Sequence, residues 1–368
     1  MPDGTLTDTA TPPELGALTV SAAGDEHALL SRVEAELHAQ AAWGLLGQGK
    51  EALGDKWSTI VAREPKRFIR DDLSLRAEVL RNFRRNQVFV SDYGSANLHP
   101  WLPRNWIDGA RRGMRRRLIE CLDTLKAQGD AELLRKYPCH PAGNPYVFTR
   151  EGFRYTYRWH KHMHFLGLFN RILGSRLPAS FTALDIGSSY GIFSYLTKSE
   201  YPKSRAILVD FPEQLLLAYY FLGRCFPDAR IGGVRELGDY PAITAEALAP
   251  YDVVLLPCAW YERLAAGTVD IVTNFASLGE MPRAWFRYYL DGPAFTDASY
   301  LFTVNRFQSA PTYDTDVTIL DYPVWDPAKR LYFGISPVFS HAYTRRNLVS
   351  YDRVVYASQY FEYIGRLR

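Results

Sequence analysis

The chain has 368 residues, 47% of them hydrophobic, 14% aromatic and 23% charged, with a formal net charge of +3. That is enough apolar material for a core of about two domains' size, and too much for an intrinsically disordered chain. No run approaches the ~18 consecutive apolar residues of a membrane helix, and the first residues lack the basic and apolar regions of a secretory leader, so neither is expected. Cys121, Cys139, Cys225 and Cys258 are far apart with no C-x-x-C pair. This argues against a disulfide framework or a four-thiolate zinc site, and for a cytoplasmic protein.

Residues 1–25 are rich in Thr, Ala, Gly and Pro without a period, and read as a disordered tail. Residues 26–140 read as a helical region. Both 26–47 and 71–83 carry apolar residues at three- and four-residue steps, while 91–106 has the Gly and Pro content of a loop. Residues 63–136 hold 17 Lys and Arg against 10 Asp and Glu, a bias that can mark a nucleic-acid partner. There, Ile107, Ala110, Met114, Leu118, Leu122 and Leu125 recur at helical spacing, leaving Arg111, Arg112, Arg115 and Arg116 mostly on other faces. An amphipathic helix with a solvated arginine face accounts for the cluster, so no nucleic-acid partner is expected. Helices with an apolar stripe and no core of their own must bury it, which predicts a lid or a homodimer surface.

Residues 137–150, with three prolines and a glycine, read as a boundary. From 141 to 368 the pattern becomes strands separated by helices. Apolar runs lie at 181–186, 207–210, 252–257 and 269–274, with helical stretches such as 212–226 between them. That alternation predicts an α/β fold with a parallel sheet covered on both faces. Runs at 299–307 and near the terminus predict an antiparallel hairpin closing a seven-stranded sheet.

The sharpest motif is Leu184-Asp185-Ile186-Gly187-Ser188-Ser189-Tyr190-Gly191, which ends a strand and opens a helix. Glycines there permit close backbone approach. Asp210 follows Gly191 by 19 residues, at the end of the next strand. From that place a carboxylate can accept hydrogen bonds from both ribose hydroxyls of a nucleoside cofactor. A dinucleotide fold would instead show G-x-G-x-x-G, which is absent.

Residues 185–191 resemble the glycine motif of Rossmann-like S-adenosylmethionine-dependent methyltransferases, with Ser189 in place of the middle glycine. The resemblance implies S-adenosyl-L-methionine as cofactor. Asp185, Gly187, Ser188, Ser189, Tyr190 and Gly191 would lie along the methionine part, Asp210 would hold the ribose and Phe211 would pack on adenine. A narrower likeness, over roughly 140–368, rests on Asp210, Pro212 and Glu213, then Asn274, Ser277, Glu280 and Met281. Those segments resemble the sugar O-methyltransferase family of antibiotic and surface-glycan pathways. It implies a sugar hydroxyl on a small molecule as acceptor. Methylation of a nitrogen or carboxylate of another metabolite is the nearest alternative, followed by RNA methylation.

Methyl transfer to a hydroxyl needs an in-line nucleophile and a base for its proton. Glu280 is the carboxylate of the loop after the fourth strand and the first candidate; a helix-terminal carboxylate is the plain alternative. Asn274 either orients the acceptor or caps the loop. His160, His162 and His164 lie just before the first strand. His160 and His162 are further candidates for the base. On a helix His160 and His164 share a face, yet the third ligand of a zinc site is missing, so no metal is expected. Trp260, after the third strand, is a candidate wall for the cofactor, while Tyr155, Tyr157 and Trp159 read mainly as core. Asp314, Asp316 and Asp321 read as a solvated turn rather than a magnesium site.

Overall fold

The computed structural model describes residues 20–48, 55–86, 88–89, 92, 104–310, 313, 315–339, 341–346 and 353–368; of 20–25, 55–56, 104–114, 341–346 and 353–358 only the backbone is described. Its strands are β1 (Phe148–Arg150), β2 (Phe153–Tyr155), β3 (Thr182–Ile186), β4 (Arg205–Asp210), β5 (Ile231–Gly232), β6 (Val253–Pro257), β7 (Ile271–Phe275), β8 (Tyr300–Arg306), β9 (Arg330–Ile335), β10 (His341–Arg346), β11 (Arg353–Ser358) and β12 (Tyr360–Arg366). The main sheet runs β5-β6-β4-β3-β7-β8-β12-β9. It is parallel from β5 to β8, and β12 is antiparallel to both neighbours.

The expected seven strands are therefore corrected to eight. Two-residue β5 is too short to leave a periodic signature, and β9 is an edge strand with no fully buried position. The terminal hairpin is also revised. The last apolar run divides between β11, which pairs with β10 in a separate ribbon, and β12, which enters the main sheet.

Alternation along the strands deals side chains to two cores. Ala206, Leu208, Val253 and Leu255 face one layer, while Leu184, Ile186, Ile207, Val209, Val254 and Leu256 face the other. Helices α1 (Val20–Ala42), α2 (Asp55–Arg63), α3 (Pro65–Phe68), α4 (Ala77–Arg81), α5 (Arg104–Gln128) and α6 (Ala131–Lys136) precede the sheet. Next come α7 (Tyr157–Leu173), α8 (Ile192–Glu200), α9 (Pro212–Cys225), α10 (Val234–Leu237), α11 (Ala245–Leu248), α12 (Arg283–Leu290) and α13 (Pro293–Asp297).

The apolar stripe of the N-terminal helices is buried on the sheet layer itself. Leu29, Val33 and Leu37 of α1 and Leu118, Leu122 and Leu125 of α5 join one core with α9, β4 and β6. Gly223 of α9 lets Leu29 come close: a Cβ there would lie 2.5 Å from its methyl. Only 77–81 of the expected 71–83 helix is helical, because Asp72 Oδ1 accepts from the Ser74 N–H and hydroxyl in a side-chain turn. Helix α1 starts at Val20; the rest of the expected tail and most of the 91–106 loop lie outside the described residues.

From β3 the chain steps outward to β4 and β6, then returns to β7 on the other side of β3. The order reverses between β3 and β7, and the carboxyl ends of the strands at such a reversal are where open α/β sheets form their ligand crevice.

Candidate functional site

The bend after β3 has φ values of +69° at Gly187, +56° at Ser189 and +83° at Gly191. Ser189 thus stands where the motif has a glycine and takes the left-handed conformation all the same. Its side chain supplies a reason: Ser189 Oγ accepts from Arg158 Nη1 at 2.9 Å. At Gly187 a Cβ would collide with Ser277 Oγ, and at Gly191 it would lie 2.9 Å from a Leu208 methyl. Both glycines therefore serve close packing of the protein on itself as well as the turn.

Backbone donors of the bend are largely committed. Gly187 N–H and Ser188 N–H donate to Val209 O, Ser189 N–H to Asp210 Oδ2 at 2.7 Å and Gly191 N–H to Ser188 O. The other oxygen of Asp210 accepts from Phe211 N–H at 2.8 Å. Burial lifts the Asp210 carboxyl to about 7 against these bonds and the field of Arg158. Asp185, hydrogen-bonded by Thr273 at 2.9 Å, is likewise lifted by burial to about 7. Ser188 Oγ, beside them, is buried without a hydrogen-bond partner.

Asn274 is fully buried and engaged. Its Nδ2 donates to Ile186 O at 2.6 Å, and its Oδ1 accepts from Leu278 N–H at 3.1 Å and Asn305 Nδ2 at 2.7 Å. It fastens the β7 loop to β3, so of the two sequence readings the loop cap fits this geometry. Glu280 sits beyond it, with Trp57 Nε1 donating to Oε2 at 3.3 Å, Arg306 at 3.8 Å from Oε1, and a hydrogen bond to Tyr313.

The three histidines lie on α7. His160 Nδ1 meets Tyr157 O at 2.5 Å and His162 Nδ1 meets Arg158 O at 2.9 Å. A ring nitrogen against a carbonyl must carry the proton, which leaves the lone pair on Nε2. Burial pushes His162 down to about 3, so it is a neutral, weak base. His164 is bridged by Asp130 at 3.1 Å and Glu362 at 2.9 Å. Both its nitrogens are engaged, which removes it from any metal pair with His160. Among the described residues no group of three or more His, Cys, Asp or Glu could hold a metal ion.

Two aromatic expectations are corrected. Tyr190 belongs to the bend by its backbone only; its ring packs edge-on to Phe83 and Phe221 and its hydroxyl donates to Asp92 at 3.0 Å. Trp260 is 7% exposed, held edge-on by Trp43 at 5.3 Å and covered by Arg263 at 3.9 Å, so its ring serves the core. Phe211, beside Asp210, is half-buried. Trp159 and Tyr155 are core, as read. Asp316 and Asp321 are tied to Arg283 of α12; Asp314 lies outside the described residues.

Arg158, Trp57, Arg306 and Tyr313 were not singled out from the sequence. Arg158 alone left a signal, a cation at the second residue of the helix leading to the first sheet strand. In the described part of the arginine cluster, Arg116 pairs with Glu120 on the exposed face, whereas Arg117 turns inward to Tyr157. No described helix is long and apolar enough to cross a membrane.

The donor set fits a nucleoside. An orphaned serine hydroxyl and a fixed carboxylate with spare lone pairs lie at one strand-end crevice, and the bend keeps few free N–H groups for a pyrophosphate.

No protein-family model and no curated protein matches the chain. Among solved structures it is similar to an S-adenosylmethionine-dependent methyltransferase from Aquifex aeolicus, at 16% identity over 54% of this chain and 89% of that one, with a TM-score of 0.29. It is similar also to precorrin-6y C5,15-methyltransferase from Geobacter metallireducens, at 14% identity over 52% and 81%, TM-score 0.30. A third is phosphoethanolamine N-methyltransferase 2 from Haemonchus contortus, in complex with phosphomonomethylethanolamine and S-adenosylhomocysteine, at 10% identity over 55% and 51%, TM-score 0.31.

Proposed function

We propose that this chain is an S-adenosylmethionine-dependent O-methyltransferase acting on a sugar hydroxyl of a small molecule, such as a glycosylated natural product or a surface glycan. The observation that carries the reading is Asp210. Its two oxygens are fixed by the Ser189 and Phe211 N–H groups at the reversal of the sheet, and each keeps lone pairs for a vicinal diol. Asp185 and Ser188 would meet the methionine portion, and Phe211 would cover the adenine. The cofactor supplies a methyl group already activated on a sulfonium.

What remains for the protein is to align the acceptor and take its proton. As the new O–CH₃ bond forms and the S–CH₃ bond breaks, the hydroxyl proton passes to the Glu280 carboxylate, which Trp57 and Arg306 hold in orientation. His160 and His162, each with its lone pair on Nε2, are the further candidates for that role, and the low basicity of His162 favours His160 of the two. The sugar part of the reading rests on the likeness of Asp210-Phe211-Pro212-Glu213 and the Asn274–Met281 segment to the sugar O-methyltransferases. It is tested by supplying methyl-labelled S-adenosylmethionine with glycosides, amines, free carboxylic acids and RNA. Label on a glycoside oxygen is expected; label confined to nitrogen, carboxylate or RNA overturns it.

A further inference from the structure

We infer that the acceptor carries an anionic group, a carboxylate or a phosphate, and that Lys161 receives it. The inference rests on the methyl-transfer reading of the same crevice and deepens it. Lys161 follows Tyr157 by four residues and Arg158 by three, so the three share one face of α7. Through Arg158 that face touches Ser189 on the glycine bend.

Lys161 is 9% exposed. Among the described residues its ammonium has no hydrogen-bond or ion-pair partner; it lies over the rings of Tyr157 at 4.2 Å and Phe339 at 3.8 Å. Arg117 of α5 stands over the same Tyr157 ring at 4.3 Å and donates to its hydroxyl at 2.5 Å. Two cations thus share one ring, with Arg158 on the same helix face. Burial and the repulsion of Arg158 and Arg117 hold the Lys161 ammonium well below its ordinary range.

The carboxylates nearby are taken. Glu280 attracts both Arg158 and Lys161, but it is engaged by Trp57, Tyr313 and Arg306. Asp92 is paired with Arg84 at 2.7 Å. A buried cation without an anion is unfavourable, and ring faces offset only part of that penalty. A neutral sugar offers the Lys161 ammonium no counter-charge. A uronic acid or a phosphorylated sugar supplies one and favours the protonated lysine over the neutral amine that burial promotes. Were Lys161 only a packing residue, a methionine of similar length would serve the slot better.

Calorimetry on the full chain saturated with S-adenosylhomocysteine tests this, titrating inorganic phosphate and, separately, acetate. The proteins are wild type, Lys161→Met and Lys161→Arg, with Lys161→Gln replacing the methionine variant should that one not fold. At least one anion should bind wild type, about 10-fold more weakly to Lys161→Met, and within about 3-fold of wild type to Lys161→Arg. S-Adenosylhomocysteine affinity should be the same in all. Binding of phosphate alone assigns a phosphoryl group to the acceptor, and binding of acetate a carboxylate. No anion binding to wild type, or equal binding to the uncharged variant, overturns the inference while the methyl-transfer reading stands. Failure of wild type to bind S-adenosylhomocysteine overturns both.

Discussion

Raising the pH from about 6.5 towards 9 removes the proton of His164 and should weaken the fold. This imidazole, 1% exposed, lies between Asp130 and Glu362 and joins α7 to β12 and to the residue that opens α6. Asp130 also pairs with Arg171 and packs so closely on α7 that a Cβ at Gly167 would collide with it; Glu362 accepts from Tyr332 at 3.3 Å. Burial alone would lower the pKa of His164. The hydrogen bonds to the two carboxylates outweigh burial and raise it from 6.5 to about 9. Folding therefore takes up a proton here. Its contribution, about 3 kcal/mol, is complete below about pH 6.5 and disappears as the pH passes about 9.

Other groups bracket this window. Asp185, Asp210 and Glu36, all lifted to about 7 by burial, oppose folding increasingly as the pH rises to 7 and add no slope beyond it. Cys121 and Cys258, lifted to about 12, begin to oppose it only as unfolded thiols ionise, near about pH 8.5. Urea denaturation at several pH values between about 7 and 8.5 should show wild type losing roughly 1–2 kcal/mol more than Glu362→Gln, which removes one of the two carboxylates. Parallel slopes for the two proteins, or an imidazole resonance of His164 titrating near its ordinary value, would refute the reasoning.

Three further outcomes are expected. Ser189→Gly relieves a left-handed serine by about 1 kcal/mol but removes the acceptor of a half-buried guanidinium, worth about 1.5–3 kcal/mol, so a net loss in denaturant titration is expected. A gain in stability would mean the Arg158 bond contributes nothing. Gly187→Ala should destabilise by about 2 kcal/mol or more through its collision with Ser277, and adding Ser277→Gly should recover part of that. Glu280→Gln should lower turnover about 100-fold with S-adenosylhomocysteine affinity within about twofold of wild type; unchanged turnover moves the base to the His160–His164 segment.

The centre of the sheet was legible because strands buried on both faces must be continuous apolar runs, as at 182–186 and 253–257. The bend and Asp210 were legible because a strand-to-helix turn and a strand-end acid leave residue types at fixed spacing. Side-chain direction was not. Nothing in the spacing says that Tyr190 turns from the bend into the core, or that Ser277 fills the space over Gly187. Trp57 and Glu280 meet although 223 residues separate them, a contact that only the tertiary fold creates. Lys161 left no mark, because Phe339, one of the two rings beneath its ammonium, reaches it only in the folded chain.

The central claim is that Asp210 grips the ribose of an adenosyl cofactor. Calorimetric titration of S-adenosylhomocysteine into wild type, Asp210→Asn and Asp210→Ala measures it most directly. Saturable one-to-one binding to wild type is expected, weakened in Asp210→Ala by about 2–4 kcal/mol for the loss of two charge-assisted hydrogen bonds, and by less in Asp210→Asn. Equal affinity in all three folded proteins, or no binding to wild type, would contradict the account.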